Sequence, residues 1–451
     1  MPRLNLPRDI LDFATVLSEA GQQVYVVGGA VRDALLGRRV SDYDVATDAR
    51  PERVIELYRR VIPTGIKHGT VTVLWKGRSI ETTTFRSEGG YSDGRRPDAV
   101  SFGVGIEEDL ARRDFTINAM AWDPIAGRLV DPEGGREDLK AGLVRAVGVP
   151  AERFAEDGLR ILRALRFATQ LGFTIEAGTL AALAAARERI IPVSAERLRD
   201  ELSKILLAPR PSTGLRLMEE TGLIDLVLPE LARCRGVEQK GLHRFDVLDH
   251  LLAALDFSEA RLELRLAALL HDTGKPEAKA FGEDGIPTFH RHEEYSARIA
   301  ENLLRRLRYP NELVDRVCHL VRQHMFHYEE NWSDAAVRRF LARVGQGAMG
   351  DLLSLRLADS SAQVGVAADP RGLDTLRRRM EDFVAKEAAL GIKDLAIGGN
   401  DLAALGFPRG PVMGRILAEL LEAVLDDPEL NEKERLADIA RRIKGKHGLS
   451  E

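Results

Sequence analysis

Only two cysteines occur in the 451 residues, Cys234 and Cys318, far apart and in no CxxC pattern. That excludes a disulfide-stapled scaffold and a cysteine zinc knuckle, and it suits a reducing compartment. No run of 18 apolar residues is present, which excludes a helical membrane span and a membrane partner of that kind. The opening MPRLNLPRDILDF lacks the apolar stretch of a secretory signal, so the expected location is the cytoplasm. Positive charge is not in excess either: 65 Lys and Arg face 70 Asp and Glu, a net charge of −5. The chain as a whole does not advertise a nucleic-acid binder. A polyanion responds to local potential, however, and the stretch from Arg145 to Arg216 holds twelve basic against eight acidic residues. The closing RRIKGKHG is basic too. There is no internal repeat of solenoid period and no low-complexity tract. What remains is 44% hydrophobic and 30% charged, a globular composition long enough for two to four domains.

The pattern changes once along the chain. Up to about residue 140, strand and helix signals alternate. VYVVG is a β-branched, aromatic run ending in glycine, and TVTVLWKG and SIETTTF read as two more strands joined by a tight KGR turn. DARPERVIELYRRV reads as a helix with Pro51 near its start. From about residue 145 strand signals fade. LRILRALRFATQL, TLAALAAARERI and AERLRDELSKILL carry apolar residues at three- and four-residue spacing, the period of amphipathic helices. The expected fold is therefore α+β, a small mixed α/β head followed by an all-helical remainder.

Within the head, residues 24–47 read VYVVGGAVRDALLGRRVSDYDVAT. If SDYDVA is a strand, Asp42 and Asp44 point to one side and Tyr43 to the other. Two carboxylates so close repel each other unless a cation lies between them. Mg²⁺ suits such oxygen ligands together with substrate phosphates. A pair of such ions activates an attacking hydroxyl and stabilises a departing pyrophosphate. Gly28 and Gly29 let backbone approach a phosphate at the start of the next helix, and Arg32 adds a charge-assisted contact.

GGAVRDALLG followed by a strand with DYD resembles the nucleotidyltransferases of the DNA polymerase beta superfamily, specifically class II CCA-adding enzymes and bacterial poly(A) polymerases. The resemblance implies template-independent addition of the 3′-terminal CCA to the tRNA 3′ end from CTP and ATP, with Mg²⁺ on Asp42 and Asp44. Glu81, in SIETTTF, is the candidate third acid. ARRDFTINAMAWD (111–123) looks like the family's second motif, which places Arg113 and Asp114 near the ribose of the incoming nucleotide. DPEGGREDL (131–139) looks like a glycine hinge between head and neck. EDGLRILRALRF (156–167) looks like the nucleotide-selecting helix, and AERLRDELSKIL (195–206) like the helix that steadies it. Asp157 and Arg160, three apart on one helix, offer acceptors and donors that match the pairing edges of C and A. They reject bases of another pattern through unpaired polar groups. Arg163 and Arg166 continue the row toward phosphate.

Two segments bear on the product. VIPTGIKHGTVTVL stands where the poly(A) polymerases carry a basic segment, and so looks like the tRNA-modifying branch. TTTFRSEGGYSDGRRPDAVSF resembles the intact flexible loop that CC-adding enzymes tend to lack, with Arg86, Tyr91, Asp93, Arg95, Arg96 and Pro97 in the pattern. CCA addition is the expectation; A addition alone and poly(A) synthesis are the alternatives.

A second constellation lies further on. RLAALLHDTGKPEAKA holds adjacent His271 and Asp272, with His250 upstream, His292 downstream and Asp359 in LRLADSSA. This spacing resembles the HD superfamily of metal-dependent phosphohydrolases. It implies a divalent ion on His250, His271, Asp272 and Asp359 that polarises a water, with His292 and His324 completing the shell or binding a second ion. The donor set suits several metals, and a phosphohydrolase side activity follows as an expectation. DLAIGGNDLAALGFPRGPVMGRILAELLEAVLDDPELNEKERL (394–436) resembles the family's tRNA-binding tail, and PRGPVMGRIL offers a turn and helix amides to RNA phosphate. The expected divisions are a head at 1–140, a helical neck that binds RNA and nucleobase at 141–235, an HD domain at 236–370 and a helical tail at 371–451.

Overall fold

The computed structural model describes residues 4–89, 99–239, 245–283, 285–386 and 390–446. The chain divides into two compact units. One comprises residues 1–232 with 306–308, the other 233–305 with 309–451.

The first unit opens with α1 (Arg8–Glu19), β1 (Val24–Val27), α2 (Gly29–Leu35), β2 (Asp44–Thr47) and α3 (Pro51–Leu57). Then come β3 (Val61–Gly65), β4 (Thr70–Trp75), β5 (Arg78–Thr84), β6 (Arg86–Gly89), β7 (Ala99–Phe102), α4 (Ile106–Ala111), β8 (Ala121–Asp123) and β9 (Arg128–Val130). Seven of these strands form one sheet in the order β3-β4-β5-β2-β1-β8-β9. All four residues of β1 are buried, as befits a strand covered on both faces. Lys76 and Gly77 both take positive φ, the two-residue turn that fits the twist of the β4–β5 hairpin. Pro51 starts α3 at a position that needs no N–H.

Register places the acids. β2 and β5 run parallel with Asp44 opposite Glu81, and β1 and β2 run antiparallel with Val27 opposite Asp44. The expected strand SDYDVA begins only at Asp44. After Val27 the chain leaves β1 at Gly28 to form α2, so the residues before Asp44 lose their antiparallel neighbour, and the pairing with β5 also begins only at Asp44. Asp42 therefore stands in the approach to the strand, not on it. Tyr43 is buried, its ring under the Arg78 guanidinium at 5.7 Å.

Helices then take over: α5 (Gly135–Ala141), β10 (Leu143–Val144), α6 (Pro150–Glu156), α7 (Leu159–Leu171), β11 (Thr174–Ile175), α8 (Ala177–Ala185), α9 (Ala195–Leu206), α10 (Pro211–Glu220), α11 (Leu223–Val227) and α12 (Pro229–Ala232). The second unit holds α13 (Val247–Phe257), α14 (Leu262–Leu270), α15 (Lys275–Ala278), β12 (Ala280–Phe281), β13 (Pro287–Thr288) and α16 (His292–Arg306). It continues with α17 (Asn311–Gln323), α18 (Asp334–Val344), α19 (Met349–Val364), α20 (Arg371–Ala385), α21 (Gly399–Ala404), α22 (Pro411–Asp426) and α23 (Lys433–Lys446). Strand does not end entirely at residue 145: β10–β11 and β12–β13 are pairs two residues long. Such pairs are too short to show alternation in a sequence. The fold is α+β, a sheet-bearing head followed by helices.

In DPEGGREDL the two glycines do different things. Gly134 takes a left-handed conformation, and a Cβ on Gly135 would meet the Thr116 carbonyl oxygen at 2.2 Å. The second glycine is fixed by close approach of backbone. Cys234 and Cys318 are buried and form no disulfide.

Candidate active site and a second candidate metal centre

One end of the head sheet opens into a cavity of about 700 Å³. Gly28, Gly29, Arg32, Asp42, Asp44, Glu81, Arg113, Asp114, Asp157, Arg160, Arg163 and Arg166 all line it. Chain reversal at Gly28 brings the glycines beside Asp44. Gly28 has φ +68°, and a Cβ there would sit 3.0 Å from Arg113 Nη1; only glycine combines that conformation with that neighbour.

Asp42, Asp44 and Glu81 line one cavity and offer it only oxygen donors. Protein around Asp44 and the negative neighbours Glu81 and Asp42 push its pKa up to about 6, against the pull of Arg113. A carboxylate crowded in this way is what a hard divalent cation relieves, so these residues fit Mg²⁺. Asp42 accepts a hydrogen bond from the Ser41 hydroxyl at 2.8 Å.

The opposite wall is built of arginines, each held. Arg32 donates to Asp33 at 2.9 Å and to Asn118 Oδ1 at 2.8 Å. The Asn118 amide in turn donates to Asp114 Oδ1 at 3.3 Å. Asp114 is buried and accepts from the Phe115 N–H and from two nitrogens of Arg163, at 2.8 and 2.6 Å. Burial alone would favour its neutral acid, yet Arg163 outweighs burial and holds its carboxyl below the usual range. Arg113 reaches Asp109 at 3.4 Å, and Arg166 pairs with Glu201 of α9 at 2.5 Å.

The pair expected on one helix face is arranged differently. Asp157 lies between α6 and α7 in extended conformation and caps α7 by accepting from the Leu159 N–H at 3.0 Å. Gly158 is itself helical in its dihedrals, and its missing side chain lets it approach the Arg189 carbonyl oxygen, which a Cβ would meet at 1.9 Å. Both carboxylate oxygens of Asp157 accept from Arg197 of α9, at 3.2 and 2.6 Å. Arg160 donates to the Arg112 carbonyl at 3.2 Å and pairs with Glu156. Asp157 and Arg160 thus face one cavity without sharing one helix face. Gly158→Ala is expected to cost about 1–3 kcal/mol through a forced backbone shift. Thermal melting would show it as a lower Tm; an unchanged Tm would mean that the close approach is relieved easily.

Sequence reasoning missed Asn118, Phe167, Arg197 and Lys204, which also line this cavity. Each sat inside a motif already quoted. Their roles come from partners distant in sequence, such as Arg197 with Asp157 and Asn118 with Arg32. In the loop, Tyr91, Asp93, Arg95, Arg96 and Pro97 lie outside the described residues; Arg86 begins β6 and its guanidinium donates to the His68 carbonyl. In the tail, Gly410 leads into α22 as expected for PRGPVMGRIL.

The second unit gathers four imidazoles and two carboxylates. His250 comes from α13, His271 and Asp272 follow α14, His292 starts α16, His324 ends α17 and Asp359 sits on α19. All six are buried. His250 Nε2 is 3.1 Å from Asp359 and 3.5 Å from Asp272, and His271 Nε2 is 3.3 Å from Asp272. His292 and His324 reach the other oxygen of Asp272 at 3.0 and 3.6 Å. Asp272 is thus common to two groups with metal-ligand geometry, His250/His271/Asp272 and Asp272/His292/His324.

Backbone fixes the tautomers. The Nδ1 atoms of His271, His292 and His324 lie 2.9, 2.8 and 2.7 Å from the carbonyls of Ala268, Phe289 and Val321. Donation there leaves each Nε2 as a lone pair aimed inward, the arrangement of ligating imidazoles. His292 Nε2 and Asp272 Oδ1 are 3.0 Å apart, yet among the described residues neither has a hydrogen-bond partner. Two buried acceptors facing each other fit a divalent cation. Lys275 at 2.6 Å from Asp272 and Arg356 at 2.6 Å from Asp359 balance the acids. Burial opposes charge on His271, but without a cation Asp272 and Asp359 outweigh it and push its pKa up to about 10, so an ion that takes up the Nε2 lone pair must displace a proton there.

Comparison with known proteins follows these sites. The family described as the poly A polymerase head domain matches residues 24–145. The one described as a probable RNA and SrmB-binding site of polymerase A matches 172–234, and the HD domain matches 243–361. The chain is 37% identical over 433 residues to the CCA-adding enzyme of Lactiplantibacillus plantarum, covering 95% of this chain and 94% of that one. It is 34% identical over 433 residues to the CCA-adding enzyme of Geobacillus stearothermophilus, covering 95% of each. The crystal structure of the Bacillus stearothermophilus CCA-adding enzyme in complex with CTP matches with a TM-score of 0.76 and 32% identity, over 98% of this chain and 99% of that one. No helix among the described residues is long and apolar enough to cross a membrane.

Proposed function

The chain belongs to the CCA-adding enzymes, and from that membership we propose that it adds or repairs the 3′-terminal CCA of tRNA from CTP and ATP, releasing pyrophosphate. The observation that carries this reading is that one cavity is lined by Asp42, Asp44 and Glu81 and also by arginines held on their own acids. No observation favours A addition alone or poly(A) synthesis.

Head and HD domains of these classes use divalent metals. Asp42, Asp44 and Glu81 would hold Mg²⁺, which when bound supplies activation of the attacking 3′-hydroxyl and charge for the leaving pyrophosphate. The chain's own groups do the rest. Gly28 and Gly29 admit the triphosphate close to backbone. Arg32, Arg163 and Arg166 face its charge, and Arg113 and Asp114 lie by the ribose. Asp157 and Arg160 read the base. Because Arg197 and Glu156 occupy them beforehand, a cytosine or adenine edge must exchange with these partners, and a base of another pattern leaves them unpaired.

We divide the chain into head 1–140, neck 141–235, HD domain 236–370 and tail 371–451, with neck and tail on the tRNA and the protein working in the cytoplasm. In the HD domain, His250, His271, Asp272 and Asp359 hold one divalent ion, and His292 and His324 with Asp272 offer a second position. Phosphohydrolysis there is tested with Mn²⁺ or Ni²⁺ on 2′,3′-cyclic nucleotides and p-nitrophenyl phosphate; absence of turnover with either ion rejects it.

The main assay uses purified protein, Mg²⁺, CTP and ATP, and tRNAs ending at the discriminator base, at C and at CC. All three are expected to be extended to CCA. Extension of the CC-ending tRNA alone would assign A addition, and long A tails on unrelated RNA would assign poly(A) synthesis.

A further inference from the structure

We propose that Phe167 is a positioning residue whose ring gathers three guanidiniums into the polyphosphate site, an inference that rests on the nucleotidyl-transfer reading of this cavity. The centre of the Arg166 guanidinium lies 3.9 Å from the ring centroid, that of Arg32 5.2 Å and that of Arg163 5.5 Å. Arg32 comes from α2, beside the glycine turn, whereas Arg163 and Arg166 come from α7. Three like charges drawn from two separate elements repel one another, and each has its own acid: Asp33, Asp114 and Glu201. Asp114 links Arg163 to Arg32 through Asn118, but no single acid pairs directly with all three. The electron-rich faces of one ring meet all three.

The ring is itself fixed. Phe167 packs edge-on against Phe115, with centroids 5.7 Å apart and planes at 77°. It is 4% exposed although it lines the cavity. With Arg166 stacked on it, its contribution runs through the arginines and not through contact with a base. Hydrogen bonds from Arg32 to Asn118, from Asn118 to Asp114 and from Arg163 to Asp114 close a loop around the ring. The arrangement has its cations placed before any triphosphate arrives, and preorganisation of this kind lowers the cost of binding.

The test alters the ring's electrostatics at nearly constant shape. Phe167 is replaced in the full-length protein by 4-fluoro-, 3,5-difluoro- and pentafluorophenylalanine, with Phe167→Tyr as the ring-retaining variant. Across the fluorinated series KM for both CTP and ATP is expected to rise stepwise to about 10-fold, a size within the range of buried cation–π contacts. Inhibition by inorganic pyrophosphate should weaken in parallel, while kcat changes less than about 3-fold. Phe167→Tyr, which keeps an electron-rich ring, should raise KM less than the pentafluoro side chain does. A flat KM series, or a fall in kcat without a rise in KM, overturns the proposal. If the pentafluoro protein does not fold, the two lighter members still give the slope that decides. Wild-type protein that extends no tRNA would instead overturn the nucleotidyl-transfer reading, so the two failures are distinguishable.

Discussion

Asp44→Asn is expected to abolish nucleotide addition, by at least about 10³-fold, and at the same time to raise the Tm of protein stripped of divalent ions. The activity loss follows from the role of the acids: a cation held there is worth several kcal/mol of transition-state stabilisation, and each 1.36 kcal/mol is tenfold in rate. The stability gain follows from register, which sets Asp44 opposite Glu81 and brings Asp42 into the same recess. Asp42, Asp44 and Glu81 are all reached by solvent, which screens their repulsion, so removing one of the three charges is expected to yield at most about 1 kcal/mol, or about 2–4 °C. The dependence on pH fixes the cause. The folded-state pKa of about 6 is above the ordinary 3.8, so the folded protein binds this proton more tightly than the unfolded chain does. Wild type therefore loses stability as pH rises from about 4 to 6. The gap between variant and wild type should be absent near pH 4 and complete by pH 7. Mg²⁺ at pH 7 should close it by stabilising wild type alone. A gap of equal size at pH 4 and pH 7 would show that charge crowding is not its origin.

How far the sequence foretold this site depends on the range of the interaction. Asp42, Asp44, Gly28 and Arg32 lie within one strand-turn-helix unit, so local periodicity and the chemistry of carboxylates locate them. Glu81 was reachable only as a candidate, because its place beside Asp44 is decided by a parallel pairing that crosses 37 positions of chain. The base-reading pair shows a different limit. Helical spacing makes Asp157 and Arg160 neighbours on a face, but Gly158 packs against the Arg189 carbonyl and the helix starts after it. Periodicity sees side chains, and the extended backbone of Asp157 that separates α6 from α7 is invisible to it. Asn118 and Arg197 were missed for the same reason as each other: a lone Asn or Arg on a helical segment has no signature until its partner, 86 or 40 residues away, is in place. In the HD region the reverse holds. His250, His271, His292 and His324 were named together because their motifs resemble the HD superfamily, although no two of their helices were known to touch.

The largest effect in the second unit is expected at Asp272. Asp272→Ala should remove divalent-ion binding and lower the melting temperature of this unit, while tRNA extension by the head persists. Asp272 is the one side chain shared by both candidate ligand groups, so its loss leaves neither complete. It also faces Lys275 at 2.6 Å, both side chains being almost fully buried. Deleting one partner of such a pair leaves a desolvated charge and costs about 3–5 kcal/mol. Lys275 would retain the Gln239 side-chain oxygen at 2.5 Å and the face of Phe289 at 5.8 Å, neither of them a countercharge. The double variant Asp272→Ala with Lys275→Met separates the two consequences. It should recover much of the lost stability, because no charge is then stranded, and yet bind no ion. Metal content after dialysis against Mn²⁺ or Ni²⁺ measures the one consequence and thermal melting the other. If Asp272→Ala still retained a full complement of metal, His250, His271 and Asp359 would have to form a centre without it. If instead the double variant melted as low as the single one, the cost would lie in the vacated space and not in the unpaired ammonium. Either way the number of ions bound per chain by wild type, one or two, shows whether Asp272 bridges two cations or steers four imidazoles onto a single ion.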